Sequence, residues 1–183
     1  FWTAPIDSAA SSAQYRFTPE QLQAESKAVV LLVDTFNAYF ENENVHAAIQ
    51  VLRSAGYQIH IPQMDTANSA SATEQKCSKQ FCCGRTYLAA GMVDEAKVRL
   101  GALVDHLAPY AERGIAIVGL EPSCLFTLKD EALVMGFGQK AVAVSQKAQL
   151  LEEFLVDESK SGKLKLNLKP ADRAVLFHGH CHQ

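Results

Sequence analysis

The residues with chemistry to offer fall into three short segments. Cys82-Cys83-Gly84 follows a polar stretch and opens a helical one. Cys124 ends the turn Glu121-Pro122-Ser123-Cys124, and His178-Gly179-His180-Cys181-His182 runs almost to the last residue. Thiolates are the preferred ligands of iron–sulfur clusters and among the preferred ligands of zinc. At a helix N-terminus, unpaired backbone N–H groups and the helix dipole stabilise a thiolate further. Cys82 and Cys83 are expected at such an end, with Gly84 letting the backbone approach whatever they hold. Adjacent cysteines point in different directions, so they suit a polynuclear cluster or two partners better than one tetrahedral ion. Blander readings stand beside these. A free cysteine packs as a small hydrophobe, and a rim histidine can act without metal. Three of the six histidines lie within five residues, which packing alone explains poorly. Cys77, in a polar loop, reads as an incidental exposed thiol. Met92 and Phe137 read as core, and His46, His60 and His106 as bland helix or strand positions. No C-x-x-C, zinc-ribbon spacing, G-x-G-x-x-G, P-loop or nucleophile elbow occurs.

The elements that must position these segments alternate. Ala28 to Val33 is a continuous aliphatic run, the signature of a strand buried on both faces. Val45, Ala48, Ile49 and Leu52 then form a helical stripe closed by Gly56, and Tyr57 to Ile61 is a second strand stopped by Pro62. Strand, helix and strand in this order imply a parallel βαβ unit. Met64 to Lys79 is a long polar loop. Val93, Ala96, Leu100, Leu103, Val104 and Leu107 share a helix face that Gly114 ends, and Ile115 to Leu120 is a third buried strand. A short helix at about 125 to 133 follows, then an amphipathic one carrying Val144, Ala148, Leu151 and Leu155. Residues 160 to 170 form a connector, and Arg173 to Phe177 is expected as a fourth strand. The pattern predicts an α/β, three-layer αβα architecture around a mostly parallel, Rossmann-like sheet of about four strands. Residues 1–27 read as a linker or arm, with a short helix expected after Thr18-Pro19. In open parallel sheets ligands collect beyond the carboxyl ends of the strands. Four of the five cysteines fall on that rim.

Composition sets the class. The 183 residues are 48% hydrophobic and 20% charged, which excludes a disordered chain. A net charge of −3 gives no electrostatic footprint for nucleic acid or an anionic membrane. The longest apolar run, Ala28 to Val33, is far short of the roughly 20 residues of a membrane span. Five cysteines are too few for a disulfide scaffold and odd in number, so a reduced, cytoplasmic protein is expected. The first residue is Phe1 and no signal peptide is visible, which reads as an excised piece of a longer polypeptide.

Three ordered motifs carry a family resemblance. Cys82-Cys83-Gly84-Arg85-Thr86, Val118-Gly119-Leu120-Glu121-Pro122-Ser123-Cys124 and His178-Gly179-His180-Cys181-His182-Gln183 resemble the CCG cysteine-rich domain. That domain occurs in the B subunit of heterodisulfide reductase, in the iron–sulfur subunit of glycolate oxidase and in the lactate-utilisation iron–sulfur protein. It also forms the C-terminal part of FAD-linked D-lactate dehydrogenase-like oxidoreductases, the branch that Val33-Asp34-Thr35-Phe36-Asn37 resembles most. The resemblance covers about residues 28 to 183. It implies a first CCG-type module at 28–170 and the start of a second, truncated, at 171–183. It further implies a 4Fe-4S cluster in the full-length protein, held by Cys82, Cys83, Cys124 and Cys181, with Gly84, Glu121 and His180 lining the site. FAD would reside in another domain or subunit. The implied partners are flavin and ferredoxin-type domains and a second CCG module, with no nucleic acid and no transmembrane segment. The implied location is the cytoplasm, including the inner face of the cytoplasmic membrane. The implied function is electron transfer in a D-lactate or glycolate class 2-hydroxyacid oxidoreductase, with this piece alone inactive and metal-free.

The sequence departs from the family at two points. Asp34-Thr35 stands where the cluster-binding branch has a cysteine after the first strand, and Glu121 stands in the first place of an expected C-x-x-C. Two rivals follow. One is a metal-free thiol/disulfide or docking and ligand-binding domain, with Asp34 and Glu121 holding a cation or polar ligand. The other is zinc on Cys124, Cys181 and His180.

Overall fold

The aliphatic run after Lys27 becomes the strand around which the chain is built. In the computed structural model, described over residues 15–22, 27–64, 80–170, 172–176 and 178–179, β1 spans Ala28–Leu32. It leads into α1 (Thr35–Tyr39) and α2 (Asn42–Ser54), and the chain returns through β2 (Gln58–His60). Next come α3 (Arg85–Ala89), α4 (Val93–Glu112) and β3 (Ala116–Gly119). After these lie α5 (Pro122–Lys129), α6 (Glu131–Val134), α7 (Gln139–Lys147), β4 (Ala148–Leu150) and α8 (Leu151–Lys160). All strand pairings are parallel, in the order β2-β1-β3-β4. Val30 pairs with both His60 and Ile117, and Leu32 with Gly119.

The period of two in β1 divides the core. Val29, Leu31 and Val33 pack on one face with Val45, Ile49 and Leu52 of α2 and Phe154 of α8. Val30 and Leu32 pack on the other with Leu100, Leu103 and Leu107 of α4, Leu125 of α5 and Val144 of α7. Helices therefore cover both faces, which gives the expected three layers. The chain goes from β1 to one side and then crosses to the other for β3. The strand order therefore reverses between β1 and β3, and the carboxyl ends of strands at such a switch point are where open α/β sheets bind ligands.

Several expectations are corrected. The fourth strand is Ala148–Leu150, paired with Ile117–Gly119, whereas 172–176 are exposed and carry no strand. The helical stripe expected to run through Ala148 is broken there. The chain turns extended instead, because Ala148 and Leu150 insert into the sheet layer and bury. The segment after Thr18 is one hydrogen-bonded turn, with the Thr18 carbonyl accepting from the N–H groups of Gln21 and Leu22 at 3.0 and 3.3 Å. This turn seats Leu22, fully buried, in the core. Met92, expected in the core, is 43% exposed. Loop 65–79, with Cys77, lies outside the described residues, as do His180, Cys181 and His182. No helix among the described residues is long and apolar enough to cross a membrane.

One histidine expected to be unremarkable is buried. His60 is 5% exposed, stacked on Tyr110 at 4.7 Å, and its Nδ1 accepts from Phe17 N–H at 3.0 Å. Burial, helped by the nearby His106 and Arg16, lowers its pKa from 6.5 to about 4, against a small opposing pull from the Tyr15 carbonyl. The neutral ring is thus the folded form, and the unfolded chain takes up the proton first. Stability is expected to be full above pH 6.5 and to fall on acidification toward pH 4, by on the order of 3 kcal/mol. Urea unfolding across that window checks it, and His60→Phe should flatten this part of the profile.

Candidate functional site

Three thiols meet just beyond the carboxyl end of β3. Cys82 and Cys83 arrive on the segment that leads into α3, and Cys124 arrives in the first turn of α5, just after β3. The Cys83 Sγ lies 3.1 Å from the Cys124 Sγ, and Cys83 is only 7% exposed. Cys82 is half-buried and accepts from the Gly84 N–H at 3.4 Å. Gly84 holds this geometry together. It adopts φ +80° as the N-cap of α3, and a Cβ there would stand 2.7 Å from the Ala96 carbonyl oxygen. The loop therefore rests directly on the backbone of α4. Arg85 then pairs with Glu131 of α6, which ties the other end of the turn.

Electrostatics at the site run opposite to the helix-terminus expectation. The Cys82 pKa is raised, first by the hydrogen bond with Cys83 and then by burial; the Gly84 N–H and the Arg99 charge pull the other way and lose. Cys83 is pushed up to about 12, chiefly by its hydrogen bond with Cys124, with burial adding to it. Helix α3 has only five residues, too short for its dipole to outweigh thiols that share protons in a half-dry pocket. Cys82 and Cys83 are protonated as they stand.

The two carboxylates on the rim are already committed. Asp34 caps α1: its Oδ1 accepts from the Phe36 and Asn37 N–H groups at 2.9 and 3.0 Å, and its Oδ2 accepts from Asn37 Nδ2 at 2.6 Å. Glu121 caps α5, accepting from the Ser123 N–H at 3.2 Å and from the Ser123 hydroxyl, with Pro122 at the first helical position. Both carboxylates thus have a structural use as helix caps. His178 is exposed.

The donor set fits a soft metal centre in kind but not a single ion in spacing. Two sulfurs on one tetrahedral ion at about 2.3 Å each stand roughly 3.8 Å apart. The pair at 3.1 Å is a thiol contact instead. Among the described residues no three His, Cys, Asp or Glu side chains are arranged to hold a metal ion. A cationic centre would invert the local proton balance, because thiol ligands ionise as metal binds.

The chain is 28% identical over 117 residues to the C subunit of anaerobic glycerol-3-phosphate dehydrogenase from Escherichia coli K12, and equally so to that of Escherichia coli O157:H7. The match covers 63% of this chain and 29% of each relative, so the chain spans less than a third of their length. No family model matches, and no solved structure gives a significant match.

Proposed function

We propose that the chain is part of the iron–sulfur, electron-transfer region of an FAD-linked 2-hydroxyacid oxidoreductase of the D-lactate or glycolate class. The observation that carries this is the convergence of Cys82, Cys83 and Cys124 from two separate segments at the sheet's switch point. The redox reading is supported by similarity to part of a dehydrogenase, and the 2-hydroxyacid class by resemblance to the FAD-linked branch. A thiolate-ligated cluster supplies one-electron storage and transfer when bound. Cys82, Cys83, Cys124 and Cys181 are its proposed ligands, with His180 beside them. Each thiol gives up its proton on ligation. Gly84 fixes the turn that carries the two adjacent cysteines and donates its N–H to one of them, and such contacts tune a cluster's potential. Flavin and ferredoxin-type domains and a second CCG module are the proposed partners.

Anaerobic reconstitution with iron and sulfide tests the assignment. The Cys83→Ser/Cys124→Ser variant is expected to retain about a tenth or less of the iron and to lose the EPR signal of the reduced protein. Cys77→Ser is expected to change neither. Unchanged iron in the double variant would sink the ligand set.

The 3.1 Å thiol contact favours a second reading. Exchange with a low-molecular-weight disulfide such as oxidised glutathione would join the Cys83 and Cys124 sulfurs, releasing two reduced glutathiones. The titratable thiol count would then fall by two, and Cys124→Ser would block the loss.

A further inference from the structure

The connector after α8 carries a positive strip that neither the core nor the thiol site uses. Between residues 160 and 173 stand Lys160, Lys163, Lys165, Lys169 and Arg173 against a single acid, Asp172, in a chain whose net charge is −3. All five basic residues are exposed. Lys163 lies 4.0 Å from Glu158, and the other four have no ion pair among the described residues. Beyond a Debye length of about 8 Å the acidic remainder of the chain is screened, so the strip acts as a local positive field.

The backbone beneath it is extended and unpaired. Leu164 and Leu166 pack on the core layer that holds Leu31 and Leu52, while Lys163, Lys165 and Asn167 are exposed, and this alternation is the period of a strand. Lys165, Asn167 and Lys169 therefore share the outer side, about 6.6 Å apart at each step. Leu168 continues the inner series past the edge of the core and is 75% exposed. The Leu164 N–H donates to the Glu158 carbonyl at 2.9 Å, and the Lys163 carbonyl accepts from the Lys27 ammonium at 2.7 Å. From Lys165 to Lys169 no backbone N–H or carbonyl is hydrogen-bonded among the described residues. Main-chain groups left in this state are a template for a further strand.

We propose that residues 164–169 dock an extended acidic peptide by strand addition, one with Asp or Glu at alternate positions and aliphatic residues between them. Main-chain hydrogen bonds to Lys165–Lys169 would supply the affinity. The acidic side chains would meet Lys165 and Lys169, and an aliphatic one would cover Leu168. Charge selects the occupant. A second copy of this segment would set lysine opposite lysine, and like charges there repel. A membrane finds no apolar side chain on the lysine side to insert. A single-stranded nucleic acid finds no aromatic ring between residues 160 and 176 on which its bases could stack. Neither reading of the thiols is needed for this surface.

The probe is a short peptide of alternating Glu and Val, titrated at low salt into isotope-labelled protein. The amide resonances of Lys165 to Lys169 are expected to move together and saturably, with a Kd of about 1 mM or tighter. A peptide of the same composition with its Glu residues in one block should bind about fivefold or more weakly, and Lys165→Gln/Lys169→Gln should weaken the alternating peptide by a similar factor. Both lysines are exposed and outside the core, so the double variant keeps the fold. No saturable shift, or an unchanged affinity in the double variant, would overturn the proposal. Equal binding of the block peptide also overturns it, because the strip would then hold any polyanion without strand pairing. Tighter binding to phosphatidylglycerol vesicles or to oligothymidylate than to the alternating peptide would assign the strip to a lipid surface or a nucleic acid instead.

Discussion

Gly84→Ala is expected to destabilise the protein by about 3 kcal/mol or more. Two independent costs add. At φ +80° any L side chain is strained by about 1–2 kcal/mol. The new methyl would also press on the Ala96 carbonyl at 2.7 Å, and that neighbour is helix backbone that cannot swing aside. The loop must lift from α4, which carries Cys82 and Cys83 away from Cys124. Gly91→Ala separates the two costs. Gly91 has φ +76° with nothing within 4 Å of the place a methyl would take, so only the conformational cost applies, about 1 kcal/mol. Urea unfolding of the two variants is the measurement. Equal losses would mean that the contact with α4 contributes nothing. In Gly84→Ala the Cys83–Cys124 pair should also cross-link more slowly under oxidised glutathione.

What is legible in the sequence divides along physical lines. Ala28 to Val33 reads clearly because a strand covered on both faces has no polar alternation to hide it. The convergence of Cys82, Cys83 and Cys124 is legible because the strand-end rule depends on element order, and three of the four β-segments fall where the pattern puts them. β4 does not. Three residues are too few to show a period of two, and helices abut it on both sides without a Gly or Pro to mark the change. The protonation of the thiols escapes a reading that gives every helix start a useful dipole. Helix length and thiol-to-thiol contact decide the sign, and neither is written in a Cys-Cys-Gly triplet. His60 and His106 look bland because they are far apart in sequence, and only the packing of α4 beside the end of β2 stacks them. The cap at Asp34 has a local signal, an Asp directly before a helix. The cysteine missing from that position is the more conspicuous feature and masks it.

That cap yields the second large effect and a direct test of what the Asp34 carboxylate does. Asp34 is 4% exposed and accepts three hydrogen bonds, two from backbone N–H groups at the start of α1 and one from the Asn37 amide. Asp34→Ala removes all three. Loss of the cap costs about 1–2 kcal/mol, and stranding the buried Asn37 donor adds about 1–3 kcal/mol. A total near 3 kcal/mol is expected, seen as a lower urea midpoint with unchanged slope. Asp34→Asn keeps an acceptor oxygen for the backbone and should lose about half as much. Iron retained after reconstitution, per folded molecule, should be the same in all three proteins, because the carboxylate is consumed within α1. If Asp34→Ala instead lowered the iron content while leaving the urea midpoint in place, Asp34 would be a cluster ligand rather than a cap. The difference between these outcomes follows from where the two oxygens of Asp34 point: toward the backbone of its own helix and the Asn37 amide.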